Sequence, residues 1–83
     1  MTAKEAYEKV LWDKLPEKLR KEIERCVKYG FTETYFFKSV HPDLFENKFN
    51  TVQILRNLGY LAEIKTISFK GGDDTKLEIS WNL

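Results

Sequence analysis

The sequence predicts an α+β fold, a small antiparallel sheet of about three strands packed against two to three helices in the order α-α-β-α-β-β. Three observations carry that prediction. The stretch from Leu58 to Leu83 (LGYLAEIKTISFKGGDDTKLEISWNL) holds two runs rich in β-branched and aromatic residues around a Gly71-Gly72-Asp73-Asp74 turn signal, which is a hairpin pattern. Upstream, two segments with helical spacing run into glycines, Gly30 and Gly59. Between them FTETYFFKSV, residues 31–40, has the composition of a strand. An isolated hairpin is marginal in water, so the upstream elements are expected to cover its apolar face.

The first helix opens with Thr2-Ala3-Lys4-Glu5, the spacing of a capping box in which the Thr2 hydroxyl caps the helix start and Glu5 reaches back. Behind it Ala3, Ala6, Tyr7, Val10 and Leu11 recur at helical spacing as one apolar stripe, with Trp12 on it or beside it. Asp13-Lys14-Leu15-Pro16 interrupts the pattern, because proline suits the first turn of a new helix and disfavours α geometry at the residue before it. The second helix is expected from about Pro16 to Tyr29, with Leu15 leading in and Leu19, Ile23, Cys26 and Val27 on its buried side. Glu17 with Lys21 and Glu24 with Lys28 are i,i+4 pairs on its charged side, and Gly30 ends it.

In the strand that follows, Tyr35, Phe36 and Phe37 are adjacent, so either both faces are covered or one meets a partner. His41-Pro42-Asp43 breaks it. A helix then fits Asp43 to Leu58, with Phe45, Phe49, Val52, Leu55 and Leu58 as its stripe. Asn50-Thr51-Val52-Gln53 also has capping-box form, which allows a start only at Thr51, after an irregular aromatic-bearing loop. In the hairpin the last strand alternates cleanly. Leu77, Ile79, Trp81 and Leu83 point one way, toward the helices, and Lys76, Glu78, Ser80 and Asn82 the other. Its partner is less regular, since Leu61, Ile67 and Phe69 share one parity and Ala62 and Ile64 the other. That predicts a bulge between Ile64 and Ile67, or a second face that is also partly covered.

Eighty-three residues make one small α+β domain over 1–83, with room for a single core and modest stability, to which partner subunits would add. A net charge of +1, with acids interleaved among the bases of the second helix, argues against nucleic acid as a partner. Lys28-Tyr29-Gly30-Phe31 is superficially like the basic-glycine-aromatic strand of RNA-recognition motifs. Thr32-Glu33-Thr34 follows, however, where that motif needs small and apolar residues. No apolar run approaches the roughly 20 residues of a membrane span, and no basic-then-apolar leader opens the chain, so neither a membrane nor a signal peptide is expected.

The chemistry-bearing residues are few. Cys26 is the only cysteine and sits on an apolar stripe, where an inert buried thiol is expected. His41 is the only histidine and precedes a proline in a turn, which fits a structural or solvent-facing role. Asp73 and Asp74 read as turn residues and supply too few oxygens for a metal. Gly71-Gly72 lacks the helix and lysine of a phosphate-binding loop. No nucleophile, base and oxyanion set can be assembled, so no enzyme activity, cofactor or metal is expected.

The opening Thr2-Ala3-Lys4-Glu5-Ala6, the basic helix ending before Gly30, the helix ending Leu58-Gly59-Tyr60 and the strand closing Ile79-Ser80-Trp81 together resemble small proteins encoded by tailed phages and prophages. The resemblance spans nearly the whole chain, departing from it in the longer, more apolar stretch from Tyr35 to Phe49. That type has no assigned catalytic residues, so no role is carried over residue by residue. What it implies is a virion or host-cytoplasm setting and one of two roles. The first is a minor capsid- or tail-associated virion component, working through protein partners as a homo-oligomer or within a larger phage assembly. The second is a small regulator that binds and inhibits a host protein. Aromatic anchors carry most interface energy, so the expected partner-binding residues are Tyr35, Phe37, Phe45 and Phe49, each of which also fits a core position.

Overall fold

The computed structural model describes residues 2–81. Asn82 and Leu83, expected to continue the alternation of the last strand, lie outside the described residues. The architecture is α+β, with α1 (Ala3–Asp13), α2 (Glu17–Lys28), β1 (Glu33–Phe37), a 3₁₀ turn (Pro42–Phe45), α3 (Lys48–Asn57), β2 (Leu61–Phe69) and β3 (Gly72–Ser80). The strands form one antiparallel sheet in the order β1-β3-β2, so the last strand is the central one. β1 and β2 therefore run parallel to each other with β3 between them, and the 3₁₀ turn and α3 make the crossover.

Local signals set the helix ends. The Glu5 N–H donates to the Thr2 hydroxyl at 3.1 Å, which caps α1 and is the Thr2 half of the expected box. α2 ends at Gly30, φ +79°, where the Phe31 N–H reaches back to the Cys26 carbonyl (2.8 Å) and that of Gly30 to Val27 (3.1 Å). The end of α3 repeats the arrangement around Gly59, φ +96°, with the Tyr60 N–H on the Leu55 carbonyl and that of Gly59 on Arg56, both at 3.0 Å. Both are Schellman ends, in which a left-handed residue lets two otherwise orphaned carbonyls find donors.

The core lies between the inner face of the sheet and the helices. Leu15, Leu19 and Ile23 come from the α1–α2 corner and α2, Leu44 and Phe45 from the 3₁₀ turn, and Val52, Ile54 and Leu55 from α3. They meet Phe36, Ala62, Leu77 and Ile79 of the sheet. Trp81, Tyr60 and Leu58 close one side of it half-buried, with the Tyr60 and Trp81 rings edge to face at 6.0 Å. Each fully buried Leu or Ile contributes about 1.5–3 kcal/mol of transfer free energy.

Five expectations need correction. The α1 stripe is mostly uncovered: Leu11 is buried, whereas Tyr7 and Val10 are more than half exposed, because α1 meets the core only through its C-terminal end. Val27 is exposed, since the buried side of α2 runs along Leu19, Ile23 and Cys26, and Val27 falls just past it. α3 begins at Lys48, neither at Asp43 nor at Thr51. The break at Glu46-Asn47 resets its phase, so Thr51, Val52, Ile54 and Leu55 face inward and Phe49 faces out. The hairpin turn is Lys70-Gly71, two residues earlier than predicted, and Asp73 and Asp74 belong to β3. Lastly, of the two alternatives for β2 the bulge falls and the partly covered second face stands, since the register runs unbroken from Leu61↔Ser80 to Phe69↔Gly72. Ile67 keeps the outward parity and is half-buried there.

Asp74 has structural work of its own. Its carboxylate accepts from the Ser39 hydroxyl (2.6 Å), the Ser39 N–H (3.2 Å) and the Thr75 N–H (2.8 Å), which fastens the segment after β1 to β3. The Ser39 hydroxyl, before the two backbone donors, holds its pKa below the ordinary carboxylate value. Among the described residues, no helix is long and apolar enough to cross a membrane.

Candidate functional site

The helices cover one face of the sheet and leave the other open. Strand alternation assigns the open face to Glu33, Tyr35 and Phe37 of β1, Lys76, Glu78 and Ser80 of β3, and Leu61, Glu63 and Lys65 of β2. The register lays them in rows across the strands: Phe37–Lys76–Lys65, then Tyr35–Glu78–Glu63, then Glu33–Ser80–Leu61. Directly opposed side chains in such rows stand close enough to interact.

Two linked systems occupy this face. The aromatic part is Tyr35 and Phe37, packed edge to face with centroids 5.4 Å apart, and the Lys76 ammonium lies 4.6 Å from the centre of the Tyr35 ring. The charged part centres on Glu78, which takes Lys65 on one oxygen and Lys76 on the other, both at 2.8 Å, while Lys65 also reaches Glu63 at 3.6 Å. The hydrogen bond from Lys65, then that from Lys76, holds the Glu78 carboxyl below its usual pKa, and Glu78 in turn raises that of Lys65. Lys65 and Glu63 are exposed and Lys76 and Glu78 only half-buried, so these pairs orient side chains more than they stabilise the fold. A hollow of about 500 Å³ runs across the face between Tyr35 and Leu61, floored by β3 around Glu78 and Ser80.

The four residues singled out from the sequence do not come together. Tyr35, 57% exposed, and Phe37, half-buried, sit side by side on the open face. Phe45 is 6% exposed and part of the core, so it presents no surface to a partner in this fold. Phe49 is 76% exposed but belongs to α3, in the helix layer on the other side of the sheet. In their place the open face adds Leu61, 63% exposed, with Lys76 and Glu78. Lys76 and Glu78 carry a sequence signal, the alternation of the last strand. Their position beside Tyr35 depends on the β1–β3 pairing, which no local pattern encodes.

The two residues of greatest chemical reach are structurally engaged. Cys26 is buried, its thiol 3.6 Å from Glu22 Oε1. The His41 ring packs edge to face on Phe36 at 5.4 Å, with its Nδ1 buried and without a hydrogen-bond partner among the described residues. What the open face offers chemically is aromatic edge and face, an exposed leucine and lysines already partnered by glutamates, which is equipment for contact. The chain matches no family model, no curated protein and no solved structure.

Proposed function

We propose that this chain is a small non-enzymatic phage protein that works by protein–protein contact, as a minor capsid- or tail-associated component of a virion. The observation that carries the reading is the open sheet face, where Tyr35 and Leu61 stay more than half exposed and Phe37 packs half-buried against Tyr35. Exposed aromatic and apolar groups gathered on one face, rimmed by charge, fit a protein surface. Three glutamates, Glu33, Glu63 and Glu78, share that face with two lysines, which sets it against a phosphate backbone. The phage setting rests on the outline of the sequence, from Thr2-Ala3-Lys4-Glu5-Ala6 to Ile79-Ser80-Trp81.

Mass spectrometry of purified virions tests this reading. The protein is expected at a fixed low copy number, and its absence despite good coverage of other minor components overturns the virion role. A second reading, a regulator that binds and inhibits a host protein, is favoured by the 500 Å³ hollow, a shape that receives one protruding side chain. Pull-down from host lysate separates the two: a regulator retains one host protein in stoichiometric amount, and loses it on Tyr35→Ser. A virion component retains none.

A further inference from the structure

We infer that the β2 edge is a self-pairing surface: two copies join β2 to β2 antiparallel about a two-fold axis at Ile64, giving one continuous six-stranded sheet. The inference goes beyond the contact reading of the open face and does not depend on a phage origin.

The free backbone groups lie on one row of β2. The Thr75 carbonyl accepts from Lys38 and the Trp81 N–H donates to Thr32, so the odd-numbered residues of β3 point toward β1. Its even-numbered residues then point toward β2, where they pair with Leu61, Glu63, Lys65, Ile67 and Phe69. Ala62, Ile64, Thr66 and Ser68 are left pointing outward. Arg56 confirms the direction independently, since its Nε donates to the Ala62 carbonyl at 3.1 Å from the edge side. That side-chain bond occupies one lone pair of one carbonyl; among the described residues no backbone group pairs with the outward row. Beyond Ile64, β2 leaves the helix layer, and both Thr66 and Ser68 are exposed.

An open nine-residue edge without proline is a surface that proteins normally blunt with charge. Here the two charges on the strand are of opposite sign and flank Ile64 symmetrically. With Ile64 on the axis, Glu63 stands opposite Lys65 of the second copy, Leu61 opposite its Ile67, Ala62 opposite its Thr66, and the two Ile64 side chains face each other. Every opposed pair is complementary. The hydrogen-bonding parity allows the neighbouring registers only in steps that place Lys65 against Lys65 or Glu63 against Glu63, and like charges directly opposed repel. One step further, with Thr66 on the axis, Lys65 and Glu63 face Ile67 and Phe69. One register therefore fits a second copy, and the others do not.

The helix layer supports the same occupant. Arg56 places its flank of α3 at the β2 edge, and Phe49 lies on that flank two turns earlier, about 10 Å along the helix. Its ring is 76% exposed on that flank. Because opposed residues share a face, the two open faces join into one, and the contact is isologous.

Sedimentation velocity from micromolar to millimolar protein tests the proposal, with a concentration-dependent dimer expected. Thr66→Pro removes an outward N–H that the β2–β3 ladder does not use, so the variant should keep its melting temperature when dilute and dimerise at least ten-fold more weakly. Register is read by mild oxidation of Glu63→Cys mixed with Lys65→Cys, Cys26 being buried. The mixture is expected to give the disulfide-linked heterodimer, because the opposed Cα atoms stand about 4.5 Å apart, within disulfide reach. A monomer at every concentration overturns the proposal. So does a dimer indifferent to Thr66→Pro, or cross-linking of either variant alone as efficient as that of the mixture. Should Thr66→Pro not fold, the cross-linking pattern decides alone.

Discussion

The three adjacent aromatics of β1 make the sharpest test of the fold, because their faces follow from the register and from nothing local. Phe36 pairs with Leu77, points into the core and is 4% exposed. Tyr35 pairs with Glu78, points outward and is 57% exposed. Phe36→Ala deletes a buried ring, which costs about 3–5 kcal/mol including the cavity it leaves. A domain of this length has about 4–12 kcal/mol to lose, so the loss is about a quarter or more of its stability. At about 4–8 °C per kcal/mol for this size, the melting temperature should fall by at least about 12 °C. Tyr35→Ala removes the edge-to-face contact with Phe37, worth about 0.5–1.5 kcal/mol, and the Lys76 contact, about 0.5–1 kcal/mol at an exposed site. Those are upper values for a half-exposed ring, so a fall of several degrees is expected. Thermal unfolding followed by circular dichroism at neutral pH measures both. Equal falls, or a larger one for Tyr35→Ala, would refute the assignment of faces and with it the open sheet.

Other perturbations address the helix ends, the core and the loop anchor. Gly59→Ala meets open space but must hold φ +96°, so thermal denaturation should show a loss of about 1 kcal/mol from backbone conformation alone. Phe45→Ser should unfold the domain or lower its melting temperature as far as Phe36→Ala does, whereas Phe49→Ser should leave the dilute protein's melting temperature within a few degrees. Thr2→Ala removes the α1 cap, about 1 kcal/mol locally, and should speed amide exchange in the first turn of α1 while leaving exchange of the sheet unchanged. Asp74 contributes in a defined pH window. Its folded pKa is depressed, so its stabilisation is fully present above the unfolded value of about 3.9 and is lost as pH falls through the folded value. Asp74→Asn should therefore flatten the acid limb of a melting-temperature profile, and an unchanged limb would refute the anchoring role.

Some of this was legible in the residues. The caps at Thr2, Gly30 and Gly59 are interactions within a few residues, so short patterns such as Thr2-Ala3-Lys4-Glu5 suffice to read them. The inward set Leu77 and Ile79 follows from the two-residue period of a strand, and the stripe Leu19, Ile23, Cys26 from helical spacing. The candidate site was only half legible. Tyr35 and Phe37 stand out as an aromatic excess, but nothing near Phe45 and Phe49 in sequence separates the buried ring from the exposed one. A break at Glu46-Asn47, between the 3₁₀ turn and α3, sets their phase.

By itself, then, the sequence determines what is local: the order of helices and strands, where two helices stop, and which side chains of the last strand share a face. Only the tertiary structure decides that β3 lies between β1 and β2, that Tyr35 shares a row with Glu78 and Glu63, and that the β2 edge is left open. The division has a physical reason. A cap or a strand period is satisfied by neighbours along the chain, whereas strand order and register are settled by long-range pairing, through the burial of Phe36, Leu77 and Ile79 against one helix layer.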